Sequence, residues 1–292
     1  MDTTYDLAII GAGIAGTAIA RQVSGSGARI VVVDSHRDVG EGATLANQGI
    51  WHTGFDTYPG SPLSSYVRRG YDLLAELRML SEMERRAHLN GYATTRMLTG
   101  QQVRDIEYAL GPGVVGGLEI PEEGLVCPWT TVLAFATQAA VCGVEFRFSS
   151  RVTDATRLPD LTWRLELADG DEVRAKWVVN AAGVHVDDIN AMFGHGEFAI
   201  VPRKGSFLTF DRAARPLFSH IVMPVLGAVG RAHIAPTIHG AVAIGPMMSD
   251  PTDKGDTSVS TAELETLLEF GDQVAPRLMR YEVTSMHAGL IP

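Results

Sequence analysis

Three glycines and one acid near the start of the chain have the types and spacing of a nucleotide site. Gly11, Gly13 and Gly16 form a Gly-x-Gly-x-x-Gly motif, and Asp34 follows Gly13 by 21 residues. The first glycine permits a tight turn, the second lets the backbone approach a pyrophosphate, and the third allows close helix–strand packing. An acid at this distance accepts hydrogen bonds from ribose hydroxyls and repels a 2′-phosphate. The spacing therefore predicts a dinucleotide site that disfavours NADP.

Other side chains could act on a substrate. The imidazole of His52 has an ordinary pKa of about 6.5, so it suits proton transfer near neutral pH, although a structural histidine is the alternative. Arg203 and Lys204 could hold the carboxylate or phosphate of an anionic substrate, or they could form a solvated strand end. His239, in a predicted turn, is a weaker candidate. Cys127 is interpreted as a small buried residue.

Short apolar runs must position the glycine motif. Residues 5–10 and 28–34 are typical of buried parallel strands, and the apolar spacing that begins at Ile14 predicts a helix between them. The helix is expected to stop at Gly25 and Gly27. Strand, glycine turn, helix, strand and acid together are the context that a dinucleotide fingerprint requires.

Later segments lack the regular strand–helix alternation of an NAD enzyme. Residues 161–168 alternate between apolar and polar, and residues 172–179 return, so we predict a hairpin with a type I′ turn at Asp169-Gly170. Ser260 and Glu263 have the spacing of a capping box and predict the start of a helix. The glycine motif alone leaves FAD and NAD open.

Composition narrows the class of protein. The 292 residues allow two domains, and 24 Lys and Arg against 34 Asp and Glu give a net charge of −10, which argues against a nucleic-acid surface. Two cysteines cannot build a disulfide framework, and no spacing suggests a metal site. The longest apolar stretch, Leu7–Ala20, has 14 residues, whereas a membrane span needs about 20. We expect a cytoplasmic protein, with peripheral membrane contact left open.

Segments spread over almost the whole chain resemble the FAD-dependent oxidoreductases of the D-amino-acid oxidase superfamily. They are Gly11–Gly16 with Asp34, Ala46–Gly54, Tyr58–Gly60, Glu123–Pro128, Val178–Gly183, Pro202–Gly205, Pro236–Gly240, Gly245–Pro246 and His287–Leu290. They occur in the family's order. The likeness is strongest to the branch of FAD-dependent glycerol-3-phosphate dehydrogenases and L-2-hydroxyglutarate oxidases or dehydrogenases.

This resemblance implies an α/β fold with two domains. One is a discontinuous, Rossmann-like FAD-binding domain of the glutathione-reductase type, expected at residues 1–59, 121–195 and 266–292, with an incomplete C-terminal part. The other is a mostly antiparallel sheet that covers the substrate, expected at residues 60–120 and 196–265.

The resemblance also implies the residues that contact FAD. They are Gly11, Ala12, Gly13, Ile14, Ala15, Gly16, Asp34, Ser35, Thr44, Ala46, Asn47, Gln48, Gly49, Val152, Ala181, Ala182 and Gly183. His52 would lie beside the isoalloxazine ring, as the base or as a covalent tether, and Arg203 and Lys204 would border the substrate. No metal ligand is assigned.

The sequence departs from the family's pattern in three places. Family members continue past the position of Pro292, Ile291 stands where an arginine is common, and the part after Leu77 is short by a strand pair. A truncated or remodelled protein, or a partner chain that supplies the missing piece, would account for this.

The resemblance implies oxidation of a small anionic substrate, such as glycerol 3-phosphate or a 2-hydroxy acid, by hydride transfer to flavin N5. A quinone, an electron-transfer protein or oxygen would accept the electrons. Two alternatives stay open: an amine or amino-acid oxidase, and a dinucleotide-binding subunit that needs a partner chain to complete the flavin site. A homo-oligomer is also open.

Overall fold

The computed structural model of this chain describes residues 4–47, 49–51, 77–224 and 232–292. The strands are β1 (Thr4–Ile10), β2 (Ile30–Val33), β3 (Ile50–Trp51), β4 (Arg96–Thr99), β5 (Gly116–Glu119), β6 (Gly124–Leu125), β7 (Glu145–Arg147), β8 (Val152–Arg157), β9 (Trp163–Leu167), β10 (Glu172–Asn180), β11 (Arg203–Phe210), β12 (His233–Pro236), β13 (Val242–Ser249) and β14 (Val283–Ile291). The α-helices are α1 (Ile14–Val23), α2 (Leu77–Leu89), α3 (Gly100–Ile106), α4 (Pro128–Val141), α5 (Val186–Met192) and α6 (Thr261–Val274). Within these ranges no helix is long and apolar enough to cross a bilayer.

The first sheet has six strands in the order β7-β2-β1-β10-β9-β8. β1 pairs in parallel with β2 and with β10, while β9 pairs antiparallel with β10 and β8. All four residues of β2 are buried, as expected for a parallel strand covered on both faces. The parallel strands end at one edge of the sheet, which is where ligands bind in open α/β folds.

Alternate residues of β1 belong to two different hydrophobic clusters. Ile9 packs in one cluster with Ala20 of α1 and Ala139 of α4. Ala8 belongs to the other, which includes Ile189 of α5 and buried residues of β8 and β9. The apolar run of the sequence therefore forms a strand that is buried on both faces, and the predicted strand–helix–strand unit is confirmed.

The predicted hairpin is present as β9 and β10, but its predicted turn type is wrong. Gly170 has φ +92°, whereas Asp169 is not among the residues with positive φ. The Gly170 N–H donates to the carbonyl oxygen of Leu167 at 3.0 Å. A type I′ turn needs positive φ at both central residues, so the loop closes with a single left-handed glycine instead.

The second sheet is antiparallel, in the order β12-β13-β11-β14. Helix α6 covers one face through Leu267 and Phe270, which are buried in a cluster with Leu208, Phe210 and Ile244 of the sheet. The capping box is confirmed, with Ser260 as the N-cap residue of α6. The predicted α/β class with a separate antiparallel sheet is also confirmed.

The predicted domain boundaries assign residues 266–292 to the FAD-binding domain. In the structure, β14 pairs along β11 as an outer strand of the second sheet, and most of α6 is C-terminal to the predicted boundary at residue 265. The last segment therefore lies with the second sheet. The domain division as a whole stays a prediction.

A buried polar cluster ties α6 to the second sheet. The carboxylate of Glu263 accepts hydrogen bonds from Ser206 at 3.1 Å, from Ser249 at 3.0 Å and from its own N-cap residue, Ser260, at 2.7 Å. Lys204 Nζ lies 3.5 Å from the same carboxylate. Burial alone would raise the pKa of Glu263, but these hydrogen bonds outweigh it and lower the pKa to about 2.

This lowered pKa predicts a dependence of stability on pH. A folded-state pKa of about 2, against an ordinary value of 4.5, contributes stability above pH 4.5 that is lost as the pH falls towards 2. We expect Glu263→Gln to lose on the order of 3 kcal/mol at neutral pH, because Lys204 stays buried, and to show a shallower acid decline.

Urea unfolding followed from about pH 7 to about pH 3 measures this decline. Glu265→Gln is the control, because Glu265 lies exposed on the same helix. An acid decline in Glu263→Gln as steep as in the unmodified chain would contradict the assignment.

Candidate active site

The glycine turn lies where β1 ends, between the ends of β2 and β10. The Gly11 N–H donates to the carbonyl oxygen of Val33 at 2.8 Å, and Gly11 has φ +108°. A Cβ on Gly11 would lie 2.4 Å from the carbonyl oxygen of Ala181, and one on Gly16 would lie 1.8 Å from that of Gly11. Both positions require glycine because the chain packs against its own backbone here.

Helix α1 begins beside this turn, and its own N-cap residue does not cap its first N–H groups. Its N-cap residue is Gly13, which offers no side chain to the N–H groups of the first turn. The Ile14 N–H donates to Thr44 Oγ1 at 3.1 Å, and the side chains of Ile14 and Ala15 are exposed. The positive end of the helix dipole is therefore accessible to an anion.

Asp34 fixes the same turn from the end of β2. Its Oδ2 accepts a hydrogen bond from the Ala12 N–H at 2.6 Å, and its Oδ1 accepts one from the His36 N–H at 2.7 Å. The His36 ring nitrogen Nδ1 lies 2.9 Å from Oδ1. The structure thus places the predicted acid directly against the glycine motif.

The segment at residues 43–47 folds over the turn. The Gly40 N–H donates to the carbonyl oxygen of Ala12 at 3.0 Å, which brings the chain back to the motif. Asn47 holds the segment's shape, because its Nδ2 donates to the carbonyl oxygen of Thr44 at 2.6 Å and its Oδ1 accepts from the Gly49 N–H at 2.7 Å. These predicted cofactor residues therefore lie together.

Residues just before α4 and in its first turn hold this segment from the other side. The Val126 N–H donates to the carbonyl oxygen of Gly49 at 2.7 Å, and a Cβ on Gly49 would lie 2.1 Å from the Val126 oxygen. Gly49 also has φ +66°. Trp129 Nε1 donates to the carbonyl oxygen of Leu45 at 3.4 Å. The close approach explains the glycine at position 49.

The end of β10 provides the third side of the turn. The Ala181 N–H donates to the carbonyl oxygen of Ile10 at 2.8 Å, and the Ala182 N–H donates to Asn180 Oδ1 at 3.2 Å. Gly183, with φ +56°, leads through a short 3-10 turn into α5. Ala181, Ala182 and Gly183 therefore lie beside Gly11, as a shared ligand would require.

A partly buried ion pair joins α5 to the loop after β13. Lys254 Nζ donates to Asp187 Oδ1 at 2.6 Å and to Asp188 Oδ2 at 3.0 Å. Asp187 Oδ2 also accepts from the Ile200 N–H at 2.7 Å. Hydrogen bonds from Lys254 and Ile200 lower the pKa of Asp187 to about 2. The ion pair connects the region beyond the glycine turn with the second sheet.

Two predicted contacts with FAD, Ser35 and Val152, lie near Asp34. The Ser150 N–H donates to the carbonyl oxygen of Asp34 at 2.8 Å, which brings the start of β8 to the end of β2. Val152 itself is buried in the core of the first sheet, and Ser35 is exposed. A contact of either residue with a cofactor stays a prediction.

The second sheet turns its uncovered face towards the segment at residues 43–47. A Cβ on Gly289 of β14 would lie 2.3 Å from the Cβ of Ala46. Phe207 and His287 are paired across β11 and β14, and their rings stack with centroids 5.1 Å apart. Because side chains alternate along a strand, Phe207, His287 and Gly289 share the face opposite α6.

Arg203 and Lys204 point to opposite faces of this sheet. Arg203 pairs in register with Ile291, on the face of Phe207, and its Nε donates to Asp250 Oδ1 at 2.9 Å. The Arg203 side chain is 57% exposed, whereas that of Lys204 is 7% exposed. Alternation puts Arg203 on the face that contacts Ala46, and Lys204 on the face of α6.

The ammonium group of Lys204 is occupied by oxygens of this chain. Its Nζ donates to Asp256 Oδ2 at 3.1 Å and to the carbonyl oxygen of Ser258 at 2.8 Å. Burial alone would lower the pKa of Lys204, but Asp256 and Glu263 outweigh it and raise the pKa. The contacts seen for Lys204 are structural, and a contact with substrate stays a prediction.

His287 lies on this same face, and the sequence analysis did not name it as a candidate for the chemistry. Burial lowers its pKa, because apolar surroundings disfavour the charged imidazolium. Its ring nitrogens have no hydrogen-bond partner among the residues that the structure describes. The available signal was a histidine two residues before Gly289, at the start of the apolar half of its strand. His239 instead stacks on Trp129, with ring centroids 5.3 Å apart.

Two predicted site residues, His52 and Gln48, lie outside the described residues. Cys127 is the N-cap residue of α4, and its Sγ accepts from the Thr130 N–H at 3.4 Å. This hydrogen bond lowers the pKa of the Cys127 thiol. In the described ranges, no three His, Cys, Asp or Glu side chains form a group that could hold a metal ion.

Comparisons with known proteins agree with this geometry. The glycerol 3-phosphate dehydrogenase of Caloramator mitchellensis is 26% identical over 310 residues, which cover 98% of this chain and 64% of that protein. The structure of dithionite-reduced, FAD-bound L-α-glycerophosphate oxidase from Mycoplasma pneumoniae superposes with a TM-score of 0.89 and 21% identity, covering 99% of this chain and 83% of that one. Glycine oxidase from Geobacillus kaustophilus gives a TM-score of 0.84 at 22% identity, with coverages of 99% and 83%.

The chain thus spans less than two thirds of the length of the Caloramator relative. The family described as DAO, FAD dependent oxidoreductase, matches residues 6–292. The glycine turn, the acid at the end of β2 and the facing antiparallel sheet are accordingly features of a family member: this chain belongs to the FAD-dependent oxidoreductases of the DAO family.

Proposed function

We propose that this chain oxidises a small anionic hydroxy compound, such as glycerol 3-phosphate or a 2-hydroxy acid, with FAD as hydride acceptor. The contact between Gly289 and Ala46 carries the proposal. It brings the sheet face of Arg203 against the segment that is anchored to the glycine turn. The name of the Caloramator relative, glycerol 3-phosphate dehydrogenase, supports this class of substrate.

The residues at the glycine turn fit FAD. The N-cap of α1 has no side chain, and a Cβ on Gly13 would approach only Thr44 Oγ1, at 3.3 Å. The N–H groups of α1 would hold the pyrophosphate, and Asp34 would bind ribose hydroxyls. The segment at residues 43–47 and Gly183 would border the rest of the cofactor. When bound, FAD supplies the two-electron oxidation.

Arg203 is the cation that suits the substrate's anionic group. Its ion pair with Asp250 is exposed on both sides, and exposed pairs contribute only about 0.2–1 kcal/mol. A phosphate or carboxylate can therefore replace Asp250 and receive two parallel N–H donors. Ile291, the neighbour of Arg203 across the strands, offers no charge that would compete.

Acceptance of the substrate's hydroxyl proton is assigned by the sequence to His52. That assignment stays a prediction, as does a covalent bond between His52 and FAD. Two histidines of the described part of the second sheet lie on the Arg203 face, His233 and His287. Burial lowers the pKa of His287, which favours its neutral imidazole. A neutral imidazole can accept a hydrogen bond from a hydroxyl group.

An amine or amino-acid oxidase is the second candidate. The likeness of fold to glycine oxidase favours it, and a carboxylate clamp at Arg203 would serve an amino acid equally well. The two candidates differ in the hydride donor, a C–H beside a hydroxyl or beside a neutral amine.

A subunit that needs a partner chain is the third candidate, and the edge of β10 favours it. β9 pairs with β10 only over residues 172–175, while β1 pairs along it to Asn180. One edge of residues 176–180 thus has no strand beside it in the described part of the chain. Trp177 on this stretch is 75% exposed. An added strand would complete the sheet beside the glycine turn.

Other properties stay predictions. They are the cytoplasmic location, peripheral contact with a membrane, the electron acceptor and a homo-oligomeric state. Among the described residues of this sheet face, the guanidinium group of Arg203 is what supports an anionic substrate.

The first experiment loads the purified chain with FAD and titrates it anaerobically. We expect the flavin absorbance to bleach with sn-glycerol 3-phosphate or a 2-hydroxy acid, because these donate hydride from a carbon that bears a hydroxyl. Glycine, sarcosine and proline are the comparison substrates. Bleaching by the amino acids alone would establish the second candidate, and a chain that cannot be loaded with FAD would favour the third.

Gly13→Ala tests the cofactor site apart from catalysis. Within the chain the new methyl group would meet only Thr44 Oγ1, at 3.3 Å, which a small shift of that side chain accommodates. It would also stand where the pyrophosphate approaches α1, so we expect FAD affinity to fall at least about tenfold. Thermal unfolding of the FAD-free protein should change little. Gly25→Ala is the control, because a Cβ there meets nothing within 4 Å. Unchanged FAD affinity in Gly13→Ala would exclude this mode of binding.

Arg203→Gln and Lys204→Gln separate binding from structure. Arg203→Gln should raise KM by about tenfold or more at nearly unchanged stability, because a charge-assisted contact is lost at an exposed site. Lys204→Gln should instead destabilise the fold by on the order of 3 kcal/mol, because Glu263 loses its buried partner. Arg212→Gln is the exposed control. A KM for Arg203→Gln equal to that of the control would rule out the substrate contact.

A further inference from the structure

A groove of about 600 Å³ opens on the second sheet's side of the molecule, away from the face that contacts Ala46. It is lined by Tyr108, Leu217, Arg277, Arg280 and Tyr281. Leu217 is buried in the same hydrophobic cluster as Leu208 and Leu267, which lies between the sheet and α6. This cluster therefore separates the groove from the face that carries Arg203.

Two guanidinium groups share this groove because of the local backbone. Leu278–Arg280 form a 3-10 turn, and Arg277 is its N-cap residue. Side chains three residues apart eclipse one another in a 3-10 helix, so Arg277 and Arg280 project to the same side. Leu278 between them is fully buried and anchors the turn in the core.

Neither arginine has an acidic partner within ion-pair distance in the described part of the chain. The nearest acids along the chain, Asp272 and Glu282, are both exposed and pair with neither arginine. The two positive charges repel each other. Within the described ranges they have no acidic partner, although acids outnumber basic residues in this chain, whose net charge is −10. An anion between the two guanidinium groups would remove that repulsion.

The aromatic residues of the groove hold one guanidinium in place. The Arg277 guanidinium carbon lies 5.4 Å from the ring centroid of Tyr108. The Tyr108 hydroxyl donates to the carbonyl oxygen of Pro216 at 3.1 Å, which fixes the ring. A guanidinium stacked by one face keeps its N–H edge free for an oxyanion.

We propose that this groove is a binding site for an organic phosphate ester, distinct from the substrate site. Two arginines and the Tyr281 hydroxyl offer enough donors for the three oxygens of a phosphate, whereas a carboxylate would use two. Tyr108 and Leu217 offer apolar surface to the attached organic group. The volume falls within the range of small-ligand sites, which is about 300–1,000 Å³. A soluble phosphate ester and a phospholipid headgroup share this chemistry.

Phenyl phosphate is the probe for the site, with binding measured by calorimetry on the full chain. We expect Arg280→Gln to weaken phenyl phosphate at least about tenfold, because one charge-assisted contact is lost. Arg280 makes no contact that the fold needs, so the variant should keep its thermal stability. Arg29→Gln, at the far end of β2 from the glycine turn, removes the same charge and should bind like the unmodified chain.

Sedimentation with phosphatidylglycerol vesicles, against phosphatidylcholine vesicles, identifies the source of the phosphate. Vesicle binding that falls in Arg280→Gln but not in Arg29→Gln supports a lipid headgroup. Vesicle binding equal in all three proteins, with phenyl phosphate binding lost in Arg280→Gln, supports a soluble ester. Phenyl phosphate that fails to bind the unmodified chain, or binds Arg280→Gln equally well, overturns the proposal.

Discussion

The arrangement of the site depends on backbone segments that approach each other without side chains between them. Gly11 meets the carbonyl group of Ala181, and Gly16 meets that of Gly11. Gly289 lies against the Cβ and the carbonyl oxygen of Ala46, where the second sheet contacts the first part of the chain. A Cβ atom on any of these three glycines would lie less than 2.5 Å from a neighbouring atom, so only glycine fits. The space for a cofactor is therefore set by backbone, which is stiffer than side chains and leaves little freedom for the site to shift.

The surroundings of Arg203 and Lys204, more than their residue types, decide whether each cation stabilises the fold or is accessible to a ligand. Lys204 lies buried among Asp256, Ser258 and Glu263. Removal of Lys204 or of Glu263 would leave the charge of the other one buried and poorly compensated. Arg203, one residue earlier, faces the opposite side and pairs with an exposed acid. A strand's alternation thus divides a cationic pair into one structural charge and one that a ligand can reach.

Local patterns predicted much of this fold. The strand, glycine turn, helix and acid could be predicted because each has its own sequence pattern. Their order along the chain matches few structures other than a dinucleotide-binding unit. The capping box of α6 followed from Ser260 and Glu263 alone. The hairpin was predictable too, but its turn type was not, since the sequence Asp-Gly suits more than one left-handed glycine turn.

The pairing between strands that are distant along the chain could not be predicted from the sequence. Nothing local indicates that β14 lies beside β11. Alternation along a strand already puts Arg203 and Lys204 on opposite faces, but which of them faces the segment at residues 43–47, and where His287 lies, could not be derived. These depend on register, which reverses every side chain when it shifts by one residue. The burial of Glu263 beneath Ser206 and Ser249 likewise needs three elements to meet.

The ion pair between Lys254 and Asp187 has a consequence for how the molecule opens. It joins the helix that follows Gly183 to the loop that follows β13, and so it links the two sheets through a single ammonium group. Local unfolding of the loop that carries Lys254 would leave the buried carboxylate of Asp187 without its cation, which makes separate opening of the two sheets costly. The backbone amides around α5 and those at the end of β13 should therefore exchange with solvent as one cooperative unit, and a ligand that tightens the glycine turn would slow both.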